Sequence, residues 1–193
     1  MTTPTRYVAL LRGVNVGTAN RVPMAAWREL LAGLGYTGAR TLLNSGNAVF
    51  DVPRPARGAG VAGHIGAALV QTLGVQVPVV VKTVRELAAI VAANPLTEGA
   101  EGAEDVHPSR LLVLFAARRT TLTQLDALHT LALPCERFVI GRDAAYLHCG
   151  GGLLDSKIAK ALFGAAGRGV TTRNWATTVK LLALARAAPA PPA

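Results

Sequence analysis

The spacing of apolar residues writes one order of elements twice along this chain, strand-helix-strand-strand-helix-strand, and few folds accommodate that order. Residues 6–11 read as a buried strand. Pro23 then opens a helix in which Met24, Trp27, Leu30, Leu31 and Leu34 recur at helical spacing, and Gly35 ends it. Residues 40–43 and 48–52 are predicted strands joined by a tight hairpin, whose positive dihedrals suit Gly46 and Asn47. Val61, Ile65, Leu69 and Leu73 stripe a second helix, Gly74 stops it, and residues 75–81 supply a fourth strand. That sequence of elements is the split βαββαβ unit of ferredoxin-like folds. A short helix over 84–93 runs into Asn94-Pro95, where a helix does not readily continue.

The second half repeats the order without repeating the sequence. Residues 110–115 are a predicted strand, Leu122, Leu125 and Leu128 mark a helix, and strands 137–140 and 144–148 flank Gly141-Arg142-Asp143. Leu154, Ile158 and Leu162 give the next helix and residues 169–172 a short strand. Trp175, Val179 and Leu182 stripe a terminal helix capped by Asn174. The expectation is an α+β protein of two ferredoxin-like lobes with antiparallel sheets plus a C-terminal helix. The first lobe covers 1–93, an acidic linker or loop 94–109, and the second lobe with the terminal helix 110–187. An Ala/Pro tail, 188–193, is expected to be disordered.

At 193 residues and 51% hydrophobic content there is ample material for packed cores. The net charge is +9, although 94–109 holds Glu98, Glu101, Glu104 and Asp105 with no Lys or Arg. A basic remainder favours anionic partners, whether a small molecule such as a nucleotide or phosphorylated metabolite, or nucleic acid. Against that stands a plainer reading, arginines scattered over a solvated surface without any basic run. No apolar run approaches the roughly 20 residues of a membrane span, and no basic segment followed by an apolar stretch opens the chain. Cys135 and Cys149 form no C-x-x-C. A cytoplasmic protein without a membrane partner is expected. His148-Cys149 with Asp155 is no metal site, because neighbouring side chains on a strand point to opposite faces, and neither a metal nor a cofactor is expected.

In a ferredoxin-like sheet the first and third strands are central and antiparallel, so the end of one lies beside the start of the other. Arg12-Gly13-Val14-Asn15 should therefore meet Asn44-Ser45-Gly46-Asn47, and Arg118-Arg119 should approach Gly141-Arg142. Such loops bring guanidinium, amide, hydroxyl and backbone groups together on a rigid scaffold. They can equally serve structure alone, since Asn stabilises turns and Gly permits them. Gly13-x-x-x-Gly17 lacks the Gly-Lys-Ser/Thr ending of a phosphate-binding loop, and Gly150-Gly151-Gly152 lacks dinucleotide-binding spacing. Tyr7 and Phe50 are the only aromatics on the two central strands of the first lobe, which argues against base stacking of the RNA-recognition type. None of His64, His107, His129 and His148 is tied to Ser45 as a base, and the acidic residues concentrate in the linker. No catalytic constellation is recognised.

The opening segment from Tyr7 to Gly17, Val22-Pro23-Met24, Asn44 to Asn47 with Val49-Phe50, Ser156-Lys157 with Ala159-Lys160, and Thr172-Arg173-Asn174-Trp175 with Lys180-Leu181-Leu182 together resemble an uncharacterised bacterial family, domain of unknown function 1697. The resemblance spans nearly the whole chain. It departs at Thr18-Ala19-Asn20, where relatives often carry Gly-x-Asn, and at Asn44, where Gln is common. It implies a compact cytoplasmic α+β protein and supplies no activity, cofactor or catalytic residue. It also directs attention to Lys157, Arg173, Asn174 and Trp175, read here as helix starts. Arg173 and Asn174 could hold an anion at a helix N-terminus. Alternatively Asn174 caps, Trp175 anchors the core and Arg173 is solvated or paired with an acid.

The leading expectation is a module that binds an anionic ligand through Arg12, Asn15, Ser45, Asn47, Lys157, Arg173 and Asn174. One alternative is an enzyme acting on a phosphorylated or nucleotide substrate, with Ser45 or Lys157 reactive. Another is a protein-interaction scaffold using exposed sheet or the helical face around Trp175.

Overall fold

The structure, a computed structural model, describes residues 4–18, 20–53, 58–97 and 106–187. Most of the acidic segment (98–105) and the tail (188–193), for which a linker and disorder were expected, lie outside the described residues. Grouped by contacts, the chain forms two units, Met1–Leu87 with Lys180–Ala193, and Ala88–Val179.

In the first unit the order is β1 (Thr5–Leu11), α1 (Met24–Gly33), β2 (Thr37–Leu42), β3 (Asn47–Val52), α2 (Gly58–Leu73) and β4 (Val79–Thr83). The strands form an antiparallel sheet in the order β2-β3-β1-β4, which is the ferredoxin-like arrangement. Alternate residues Tyr7, Ala9 and Leu11 of β1 turn toward α1 and α2 and join Trp27, Leu31, Phe50, Ile65 and Leu69 in a buried core. Phe50 stacks on Tyr36 with ring centroids 5.1 Å apart. Tyr7 and Phe50 are therefore core side chains and present no free ring face for a base.

The second unit repeats the topology. Its elements are β5 (Leu111–Ala116), α4 (Arg119–Thr123), a 3-10 turn (Asp126–Leu131), β6 (Glu136–Ile140), β7 (Ala145–Cys149), α5 (Lys157–Phe163) and β8 (Val170–Asn174), with sheet order β6-β7-β5-β8. Its core includes Leu112, Leu114, Phe138, Leu147, Ile158 and Leu162. Two further helices, α3 (Val84–Ala92) and α6 (Trp175–Arg186), and a 3-10 turn (Ala165–Gly167) complete the described elements. Helix α3 opens on a reciprocal cap, in which Glu86 Oε2 accepts from the Thr83 N–H at 2.7 Å and Thr83 Oγ1 accepts from the Glu86 N–H at 3.1 Å.

The last turn of α6 belongs to the first unit, and two arginines hold it there. Arg6 donates to the carbonyls of Ala185 and Ala187, at 3.1 and 2.8 Å, while also gripping its cross-strand partner Asp51 with two bonds of 2.8 and 2.9 Å. Arg40 donates to Leu184 and Ala187, at 2.9 and 3.1 Å. Cationic donors at a helix C-terminus satisfy carbonyls that have no intrahelical partner and oppose the helix dipole.

Several sequence expectations need correction. The fourth strand is Val79–Thr83, not 75–81, because Pro78 has no N–H to give a ladder; its carbonyl instead accepts from Arg12 N at 3.0 Å. Leu122, Leu125 and Leu128 do not mark one α-helix. Their three-residue spacing matches a 3-10 repeat, and the segment is the short α4 followed by the 3-10 turn. Leu154 is outside α5 and 86% exposed, since Ser156 caps that helix by accepting from Ala159 N at 3.0 Å. On α6 the buried face runs through Thr178, Leu181, Leu182 and Ala185, while Val179 is exposed. The short strand extends to Asn174, so Arg173 and Asn174 end β8 and pass directly into α6. At the first hairpin the positive dihedrals fall on Leu43 (φ 58°) and Gly46 (φ 74°), whereas Asn47 already belongs to β3.

Candidate functional site

Strands β1 and β3 pair antiparallel, and their adjoining loops meet as the topology requires. Leu11 N donates to Gly46 O at 3.1 Å, and Asn15 Nδ2 donates to Asn44 O at 2.7 Å. The approach is so close that a Cβ on Gly46 would sit 2.6 Å from Leu11 Cβ and 2.8 Å from Val14 Cγ2. Val14 and Val22 anchor the first loop in the core, and between them the chain folds back on itself: Asn15 N donates to Asn20 O at 3.1 Å, and Asn20 Nδ2 to Gly13 O at 3.3 Å.

Asn15 is the clamp of this arrangement. Its Nδ2 also donates to Val22 O at 2.9 Å, and its Oδ1 accepts from Val22 N at 2.9 Å. The residue adopts φ 56°, a conformation that Asn tolerates better than most residues. Asn47 is fully buried; its Nδ2 donates to Leu42 O at 2.9 Å and to Ser45 Oγ at 3.0 Å. The carboxamides of Asn15 and Asn47 thus spend their donors on backbone and on Ser45, while Arg12 and Ser45 are half-buried.

Beside this junction lies a cleft of about 340 Å³ lined by Asn15, Gly17, Arg21, Pro23 and Asn44. Arg21 is exposed and has no ion pair among the described residues, and neither loop contains an Asp or Glu. The Asn44 carboxamide likewise makes no hydrogen bond among the described residues. Pro23 is the N-cap of α1; no side chain caps that helix and its first turn has no acidic residue. Free N–H groups and the positive end of the dipole add to the guanidinium at this edge. Two other hollows in the first unit differ in character. A larger one, about 580 Å³, is lined by Arg28 together with Glu29, so its charges oppose each other. The other lies between α1 and α2 and is lined largely by Ala26, Leu30, Ala68 and Leu73.

The remaining predicted residues belong to the second unit, Lys157 on α5 and Arg173 and Asn174 on β8. Lys157 is exposed in the first turn of α5. Arg173 is buried, donating from Nη1 to Thr171 Oγ1 at 3.0 Å and to Thr172 O at 2.7 Å; burial lowers its pKa to about 10, which leaves it charged at neutral pH. Asn174 caps α6 by accepting from Thr177 N at 2.8 Å. At the second hairpin Arg119 pairs with Asp143 at 2.7 Å. Cys149 is buried, which pushes its thiol pKa up and keeps it from being a thiolate nucleophile. The structure thus brings Arg12, Asn15, Ser45 and Asn47 to one edge. It adds Arg21 and Asn44 to Asn15 in the polar lining of the cleft; Asn44 belongs to the cluster singled out in the sequence but was not among the expected ligand contacts, whereas Arg21 carried no motif that marked it.

Two ferredoxin-like units, the first with a polar loop junction at the ends of its central strands, place the chain in the α+β class. Residues 4–146 match the family described as "Protein of unknown function (DUF1697)", and the chain belongs to that family. No curated protein matches the chain. Among solved structures, the conserved bacterial protein SP0830 from Streptococcus pneumoniae is similar at 23% identity, with 95% of this chain and 100% of that chain covered and a TM-score of 0.76. At that identity the likeness speaks to fold. No helix among the described residues is long and apolar enough to cross a membrane.

Proposed function

We propose that the protein binds a small anionic ligand, with a phosphoryl group as the chemistry that fits best, in the cleft lined by Asn15, Gly17, Arg21, Pro23 and Asn44. The observation that carries this reading is the exposed Arg21 guanidinium, which faces a concave surface with no acidic residue in either contributing loop. The uncapped start of α1 on the same cleft supports it, because helix N-termini favour anions. Size favours a small molecule over nucleic acid: about 340 Å³ is at the small end of ligand pockets, which run from roughly 300 to 1,000 Å³. A cytoplasmic setting belongs to the same proposal, since both cysteines are free thiols, as they are where thiols are kept reduced.

The test is thermal stabilisation by phosphate, pyrophosphate and sugar phosphates, compared with a short oligonucleotide, at low and high salt. Stabilisation by the small anions that vanishes in Arg21→Ala is expected, with a salt slope near that of about one neutralised phosphate. A steep slope with the oligonucleotide and no response to small anions would favour nucleic acid instead. No response to any of them removes the reading.

A further inference from the structure

We infer that the larger hollow of the first unit, where the end of α1 passes into β2, binds a free α-amino acid, its carboxylate on Arg28 and its ammonium on Glu29. The hollow shares no lining residue with the anion cleft, which adjoins the other end of the same helix. Its volume, about 580 Å³, falls within the range of small-molecule pockets, roughly 300–1,000 Å³. Arg28 and Glu29 both line it, yet they do not neutralise each other. Successive residues on a helix point in different directions, and these two form no ion pair. Glu29 makes no hydrogen bond or ion pair among the described residues, although the chain has 20 Lys and Arg. Arg28 is positioned by a neutral partner, donating from Nη1 to Thr41 Oγ1 at 2.9 Å, which leaves its other guanidinium donors for a ligand. A simple anion here would meet Glu29, and a simple cation would meet Arg28. An α-amino acid carries both charges on one carbon and satisfies both side chains.

The backbone of β2 adds to this pair of charges. Thr37 of that edge strand pairs with Asp51 and Arg40 with Val49, so Gly38 and Ala39 together stand opposite Phe50. Such a bulge leaves one residue's N–H and C=O out of the ladder. Gly38, at φ 62°, and Ala39 both line the hollow, so the released main-chain groups lie at its wall, where an amino acid's own polar groups can use them. The rest of the lining suits an uncharged side chain. Ala32, Gly35 and Ala39 are small, and a Cβ on Gly35 would meet nothing within 4 Å. The Tyr36 ring is buried and stacked on Phe50, which makes it a fixed apolar wall. An aliphatic or aromatic side chain has room there, whereas a further charge would find no partner in the lining.

The experiment is calorimetric titration of the full chain with L-leucine and L-phenylalanine, and with the N-acetyl form and the amide of each, which lack the ammonium and the carboxylate respectively. At least one free amino acid should bind with a Kd of about 1 mM or tighter, and its blocked forms about tenfold more weakly. Arg28 and Glu29 are exposed, so Arg28→Gln and Glu29→Gln keep the fold. Glu29→Gln should weaken the free amino acid and its amide about tenfold and leave the N-acetyl form unchanged. Arg28→Gln should weaken the free amino acid and the N-acetyl form and leave the amide unchanged. Arg21→Ala should alter none of these titrations, so the hollow and the anion cleft stand or fall separately. Absence of binding by both amino acids, or equal binding of free and blocked forms, overturns the inference. Binding that survives both Arg28→Gln and Glu29→Gln, or that is lost in Arg21→Ala, overturns it as well. A leucyl-leucine dipeptide that binds where free leucine and phenylalanine do not would replace the amino acid by a peptide.

Discussion

Replacing Gly46 by Ala should be among the most damaging small substitutions in the first unit, and its cost can be separated into parts. Gly46 adopts φ 74°, which charges an L-residue about 1–2 kcal/mol, offset by the roughly 0.4–1 kcal/mol that Ala gains over Gly through its smaller unfolded-state entropy. The added Cβ would also lie 2.6 and 2.9 Å from Leu11 Cβ and Cγ and 2.8 Å from Val14 Cγ2. Leu11 and Val14 are core residues without room to swing, so the overpacking adds about 1–3 kcal/mol. The sum is near 3 kcal/mol, or a fall in Tm of about 6–12 °C for a chain of this length. Gly17→Ala is the internal control: its φ is 64°, yet nothing lies within 4 Å of the added carbon, so it should lose only about 1 kcal/mol. Thermal and urea denaturation followed through buried Trp27, which reports on the first unit, measures both. Equal losses for the two variants would show that the β1 and β3 loops do not press together as described.

Asn15→Ala removes three hydrogen bonds and places Ala at φ 56°, for a loss of about 2–3 kcal/mol. The Val22 amide should then exchange much faster with solvent, and unchanged protection would contradict the clamp. Burial pushes the Tyr146 phenol up to about 12, and its hydroxyl donates to Ile90 O at 2.7 Å. Its folded pKa exceeds the unfolded value near 10, so its contribution is complete below about pH 10 and disappears as pH rises toward 12. Urea midpoints at mildly and strongly alkaline pH should converge for the native protein and Tyr146→Phe; a constant difference would sink this assignment. Iodoacetamide should label exposed Cys135 and spare buried Cys149 in the native state, as peptide mass spectrometry would show. Rapid labelling of both thiols would refute that packing.

How much of this was legible in the sequence depends on which forces act locally. The βαββαβ order was readable twice because stripes such as Val61, Ile65 and Leu69 bury one face, and that burial drives the element. The meeting of the Arg12 and Asn44 loops followed from topology alone. The Thr83-x-x-Glu86 capping box is equally plain in the residues. What misled were patterns compatible with two periods, as at Leu122, Leu125 and Leu128, and apolar residues outside a cap, as at Leu154. At the site, amides attract notice as ligand contacts, yet Asn15 and Asn47 commit their carboxamides to the chain itself because the backbone groups of Val22, Leu42 and Asn44 need partners. Arg21 stands alone between Asn20 and Val22 without a motif. Only the placement of Pro23 at the start of α1 beside the hairpin reveals its setting.

The anchoring of α6 by Arg6 and Arg40 ties together segments far apart along the chain. Arg6 stands 179 and 181 residues from the carbonyls it holds at Ala185 and Ala187, and Arg40 stands 144 and 147 residues from those at Leu184 and Ala187. Closing loops of that length costs entropy before the bonds repay it, so the last turn of α6 should lock onto the first unit later than the hairpins and helices that form from neighbouring residues.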